Sequence, residues 1–267
     1  MTLLLSWVGK DSRKISSFYI ASDSRISWNK STKFDYSQKV FAFTKTPDII
    51  GYCGDVLYPT LILNQILSME EEEILFKFDM TRFERSEIIF NELKKKFNEY
   101  PSDIVMNDSL EIIHVSRDNE IDFLCNIFTW TSKNGWTKKE QEIPDKSDKV
   151  IILGSGKDEF FERYLDYHNG LNGKTSRALF QCLSHTLLDI KDLQCGGSPQ
   201  LVGLYNKFNG KKFGVIYKNK RYFLGKELDN SEIINNIEWR NELFERCDGK
   251  SIKILDDAQR QPNELRS

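Results

Sequence analysis

The spacing of apolar and polar residues changes several times along the chain, and each change marks an element. Residues 2–9, TLLLSWVG, are almost all apolar and predict a buried strand. The polar KDSRK that follows predicts a turn, and ISSFYIAS predicts a second strand that closes a hairpin ending at Asp23. Residues 24–38 are rich in Ser, Asn and Lys and read as a loop. KVFAF and DIIGYCG read as two more strands. After them Leu57, Leu61, Ile62, Ile66 and Leu67 recur at helical spacing, with Asp55 placed to cap and Pro59 tolerated in the first turn. Glu70 to Glu73 read as a solvated face near a helix end. Residues 82–98 carry a stripe of Phe83, Ile88, Ile89, Leu93 and Phe97, which predicts a helix that Pro101 stops.

From 109 to 153 the period becomes β-like, in SLEIIHVS, EIDFLCNIFTW, GWTKKEQEI and DKVIILGSG, with turns at RDN and SKNG. DEFFERYLDYH and a segment from Thr175 through Leu188 return to helical spacing. QLVGLYNKF, KKFGVIYK and KRYFLGKEL predict three closing strands. The order is strands, two helices, strands, two helices, strands. An α+β fold of two sheets with helices on both outer faces satisfies it. The expected domain covers residues 1–228. Residues 229–267 form an extension with a short helix at INNIEWRNELFER and a loose polar end.

Composition narrows the function classes. Apolar residues make up 39% and charged residues 29%, as in ordinary globular proteins, and the net charge is -2. No global field favours nucleic acid or an anionic membrane, so neither is expected as a partner. The 5 cysteines, at 53, 125, 182, 195 and 247, fit no metal knuckle and read as reduced thiols. His114, His168 and His185 are far apart and show no ligand spacing, so no metal or other cofactor is expected. The first residues lack the basic and long apolar regions of a signal peptide, and no run of 18 apolar residues occurs. A cytoplasmic location follows as the expectation.

The polar and glycine positions between these elements resemble those of the proteasome β-type subunit family and its bacterial relatives, within the N-terminal-nucleophile (Ntn) hydrolases. ASDSR at 21–25 is similar to the family's strand-ending acid and arginine, and Lys39 opens KVFAF sixteen residues after Asp23, as the family lysine follows its acid. GYCGD at 51–55 resembles the glycine segment leading into the first helix, and GSG at 154–156 the segment before the third. Asp192 follows Ser155 by thirty-seven residues and opens DLQCGG, similar to the family's acid-x-x-Ser-Gly-Gly. The resemblance covers Thr2 to about Lys226. It implies a four-layer αββα sandwich of two antiparallel sheets. Cys195 departs from the usual serine, and the first hairpin is about five residues longer than usual. A longer turn that preserves parity still leaves Thr2 near Asp23.

On this resemblance Thr2 is the nucleophile, once removal of Met1 frees its amine to act as a general base. Lys39 supports the threonine oxygen, and Asp23 holds Lys39. Ser155 and Asp192 form the polar network nearby, and Gly51 supplies a backbone N–H to the oxyanion. Three functions fit: a threonine-type amide hydrolase acting on peptides or proteins, a catalytically silent subunit serving assembly or binding, and a small-molecule amidase. The resemblance also implies a homo-oligomer, with a ring as the family form and segments 56–69 and 82–98 between subunits. An unfoldase partner belongs to such families, but no feature of the sequence identifies one.

Overall fold

The computed structural model describes residues 2–11, 14–28, 31–101, 109–229 and 236–260. The chain begins with strands β1 (Leu4–Lys10), β2 (Ile15–Ser22), β3 (Ile26–Ser27), β4 (Lys33–Phe34), β5 (Val40–Ala42) and β6 (Asp48–Gly54). Helices α1 (Leu57–Glu71) and α2 (Arg82–Glu99) follow, then β7 (Ser109–Arg117), β8 (Phe123–Thr131), β9 (Gly135–Glu140) and β10 (Asp148–Leu153). After α3 (Lys157–Asn169) and α4 (Ser176–Asp189) come β11 (Gln200–Tyr205), β12 (Lys211–Tyr217), β13 (Lys220–Phe223), β14 (Lys226–Leu228), β15 (Glu238–Asn241) and β16 (Arg246–Cys247).

Two main sheets result. One runs β10-β1-β2-β11-β12-β13-β14, with β15 also beside β12 and β16 beyond it; the other runs β5-β6-β7-β8-β9. Neighbours are antiparallel except β15, which lies parallel to β12.

Side chains of a strand alternate between its faces, so a strand covered on both sides reads as an unbroken apolar run. β1 shows this. Leu3, Leu5 and Trp7 pack with Phe160 of α3 and Phe180 and Leu183 of α4. Leu4 and Val8 turn the other way, toward Val40, Ile49 and Ile113 of the five-stranded sheet. A third cluster joins Ile50 and Tyr52 to Leu63 and Ile66 of α1 and Ile89 and Leu93 of α2.

The helix starts are set by polar side chains. Asp55 Oδ1 accepts the Leu57 N–H at 3.0 Å at the head of α1. Thr81 and Glu84 form a reciprocal capping box at the head of α2. At the other end Tyr100 is extended, as the residue before Pro101 must be.

Three expectations need correction. Phe83 is 49% exposed and does not join the buried stripe of α2; the Arg82 guanidinium lies over its ring. Glu70 is buried rather than solvated. Its carboxylate accepts the N–H groups of Thr44, Lys45 and Thr46, closing the β5–β6 turn. The third concerns the helix expected at INNIEWRNELFER, whose first residues lie outside the described ones. Over 238–247 the chain instead makes β15 and β16. Gly214 explains the change: its bare Cα leaves the room that the Trp239 indole fills, and Phe244 reaches the cluster around Trp7 and Phe180. The polar end, 261–267, lies outside the described residues.

Candidate active site

Hairpin β1–β2 sets the position of Thr2. Its register pairs Leu4 with Ser22. One step further, the Asp23 N–H donates to the Leu3 carbonyl at 3.2 Å, and the Leu3 N–H donates to Asp23 Oδ1 at 3.1 Å. The pairing keeps one register from Leu4 to Gly9, and an irregularity between Gly9 and Lys10 takes up one residue. Thr2 therefore stands next to Asp23, as the parity argument expects.

Lys39 reaches this point from the start of β5. Its Nζ donates to Thr2 Oγ1 at 3.0 Å and to Asp23 Oδ1 at 2.8 Å. Its backbone N–H donates at 2.9 Å to Gln200 Oε1, and Gln200 Nε2 donates to the carbonyls of Asp23 and Ser37 at 2.9 and 2.8 Å. One buried amide thus ties the carriers of acid and lysine together. The other oxygen of Asp23 accepts N–H groups from Arg25 at 3.2 Å and Gly196 at 3.0 Å. A cation beside a threonine oxygen lowers the free energy of the alkoxide, and a fixed carboxylate keeps that cation in place.

Thr2 is also fixed from the other side. Gly156 donates its N–H to the Thr2 carbonyl at 3.2 Å. Gly154 has φ +91°, and a Cβ there would overlap that same carbonyl oxygen. Gly154→Ala is therefore expected to displace Thr2 and to cost about 1–3 kcal/mol for a side chain held in this conformation. Thermal denaturation beside covalent labelling of Thr2 checks this; an unchanged melt with full labelling would contradict it.

Ser155, Asp192 and Cys195 form a second group joined to the first through the backbone. Cys195 Sγ lies 3.3 Å from Asp192 Oδ2 and 3.6 Å from Ser155 Oγ. Burial works to raise the Asp192 carboxyl. Hydrogen bonds from Ser155, the Gln194 N–H and Cys195 outweigh it, and the group lies below its ordinary value. Burial pushes the Cys195 thiol up, so it stays protonated and able to donate, though weakly. Arg25 is an ion-pair residue: it grips Asp35 through Nε at 2.7 Å and Nη2 at 2.9 Å, and Nη1 donates to the Cys195 carbonyl at 2.9 Å.

Gly51 is not brought into this group. It pairs with Val40 on one side and Ile113 on the other. The Tyr52 N–H donates to the Lys39 carbonyl at 3.1 Å, so by alternation the Gly51 N–H turns toward β7. What the position demands is space, because a Cβ would come within 2.9 Å of Ile20 Cγ2 across the sheets. Among the described residues no group of three or more His, Cys, Asp or Glu could hold a metal ion. No helix among them is long and apolar enough to cross a membrane.

The fold is mixed α/β and similar to proteasome-like folds. Among solved structures it is similar to Anbu, the ancestral beta-subunit, from Yersinia bercovieri, with a TM-score of 0.55 and 11% identity over 79% of this chain and 87% of that chain. It is also similar to an Anbu mutant from Hyphomicrobium sp. strain MC1, with a TM-score of 0.51 and 10% identity over 79% and 86% of the two chains. At such identity the likeness concerns the fold alone. No family model matches the sequence, and no curated protein matches it.

Proposed function

We propose that the chain is a threonine-type Ntn amide hydrolase acting on peptides, with Thr2 as nucleophile after removal of Met1. The observation that carries this is Lys39 Nζ, buried between Thr2 Oγ1 at 3.0 Å and Asp23 Oδ1 at 2.8 Å. The freed Thr2 amine takes the hydroxyl proton as Oγ1 attacks the substrate carbonyl carbon. The amine then delivers that proton to the leaving nitrogen as the C–N bond breaks, leaving an ester on Thr2. Water, deprotonated by the same amine, hydrolyses the ester to the acid and restores the hydroxyl. An oxyanion role for Gly51 needs its N–H released from β7, so another backbone donor is the better assignment. The proposal includes a four-layer αββα arrangement over residues 1–228, a cytoplasmic location and a homo-oligomer, with a ring as one form.

A second reading is a silent subunit that keeps the fold for assembly. It is favoured by Thr2 being only 2% exposed in the chain that still carries Met1. The mass of the intact purified chain, joined to mapping of a threonine-directed electrophile, separates the two. Loss of one methionine and labelling at Thr2 support the hydrolase. Retained Met1 leaves the Thr2 nitrogen an amide, without basicity, and selects the silent reading.

A further inference from the structure

The side chains of the proposed reaction sit on two different sheets. Thr2 and Asp23 stand at one end of hairpin β1–β2 in the larger sheet, whereas Lys39 leads into β5 of the five-stranded one. The 3.0 Å contact between Lys39 Nζ and Thr2 Oγ1 therefore depends on how the sheets are offset at this end. β5 is an edge strand of three residues beside β6, so its ladder ties Lys39 to its own sheet and not to the other.

Gln200 supplies the missing tie. It opens β11 in the larger sheet, opposite Ser22, and is fully buried. Its side chain crosses to the start of β5. Oε1 accepts the N–H of Lys39 at 2.9 Å and lies 3.4 Å from the Val40 nitrogen, and Nε2 donates to the carbonyls of Asp23 and Ser37 at 2.9 and 2.8 Å. A carboxamide has two donor hydrogens and two acceptor lone pairs, and here each has a partner. The flipped amide would set its oxygen against two carbonyls and its NH2 against two N–H groups, so the network admits one orientation. An apolar residue of similar size cannot replace it, and neither can an ionised glutamate, which only accepts.

We propose, resting on the hydrolase reading above, that Gln200 is a positioning residue for the Thr2 reaction. It touches no reacting atom. It holds the Asp23 and Lys39 backbones at one separation, so that the Lys39 ammonium meets Thr2 Oγ1 and Asp23 together. A misplacement of about 1 Å at such a site costs on the order of 10²-fold in rate.

The rate at which a threonine-directed electrophile labels Thr2, in the chain freed of Met1, tests this. Gln200→Met is expected to slow labelling about 10²-fold in the parent background. In the Lys39→Met background it should slow labelling no further, because the ammonium it positions is gone. A role confined to folding would cost the same factor in both. Gln200→Glu gives a second arm, which decides alone if Gln200→Met does not fold. Protonated, its hydroxyl donates to one carbonyl and its C=O accepts the Lys39 N–H; ionised, it has no donor for either carbonyl. Its rate relative to the parent, a ratio that cancels titration of the Thr2 amine, should rise as pH falls. If the parent is not labelled, the hydrolase reading fails, and the placement of Lys39 is read without it. Nitrogen NMR of lysine-labelled chain should show a slowly exchanging Lys39 ammonium, assigned by its loss in Lys39→Met, that vanishes in Gln200→Met or in ionised Gln200→Glu. The proposal is overturned by parent-like labelling of folded Gln200→Met, by equal losses in both backgrounds, by a Gln200→Glu ratio independent of pH, or by an unchanged ammonium signal.

Discussion

Thr2→Ala is expected to abolish hydrolysis by the chain freed of Met1 and to leave its melting temperature nearly unchanged. The substitution removes the attacking oxygen but few packed atoms, and Lys39 keeps its contact with Asp23 at 2.8 Å. Thr2→Ser should retain turnover, since both hydroxyl and amine remain. Lys39→Ala should lose about 10²-fold or more, because its ammonium faces the oxygen on which charge develops. The check is turnover of a peptide substrate together with Thr2 labelling in each variant. Undiminished hydrolysis by purified Thr2→Ala would sink the hydrolase assignment, whatever the fold.

How much of this was legible depends on how local each determinant is. Strand β1 could be read because its two buried faces leave one unbroken apolar run. The meeting of Thr2 with Asp23 could be read because hairpin parity survives a longer turn. Lys39 was legible only through the family resemblance, in which a lysine opens a short strand sixteen residues after its acid. Gln200 was missed, although it holds both the Lys39 N–H and the Asp23 carbonyl. Its task depends on three segments far apart in sequence, and the only local sign is a polar residue opening the apolar QLVGLY. Glu70 was hidden in a run of four glutamates that looks uniformly solvated. The C-terminal strand was misjudged because INNIEWRNELFER suits more than one period. What decides it is the gap over Gly214 that receives Trp239, and a tertiary vacancy leaves no trace in the segment that fills it.

The buried ion pair should respond unequally to loss of either member. Asp23 accepts from Lys39 at 2.8 Å, and also from the N–H groups of Leu3, Arg25 and Gly196 at 3.1, 3.2 and 3.0 Å. In Lys39→Met the carboxylate keeps its three N–H donors and the Ser22 hydroxyl at 3.5 Å, and the methionine roughly fills the vacated volume. In Asp23→Asn the ammonium keeps Thr2 Oγ1 and a neutral amide oxygen as acceptors but has lost its counter-charge. One face of that amide also presents N–H groups to donors that need an acceptor. A buried charge stripped of its partner costs about 3–5 kcal/mol, so Asp23→Asn is expected to fall in that range and Lys39→Met below it. The double variant should be more stable than Asp23→Asn alone, since it no longer buries the ammonium. Urea denaturation measures all three, with comparison valid where the slope on denaturant is unchanged. If Lys39→Met proves the costlier substitution, the three N–H groups do not hold the Asp23 charge, and the lysine is what keeps it buried.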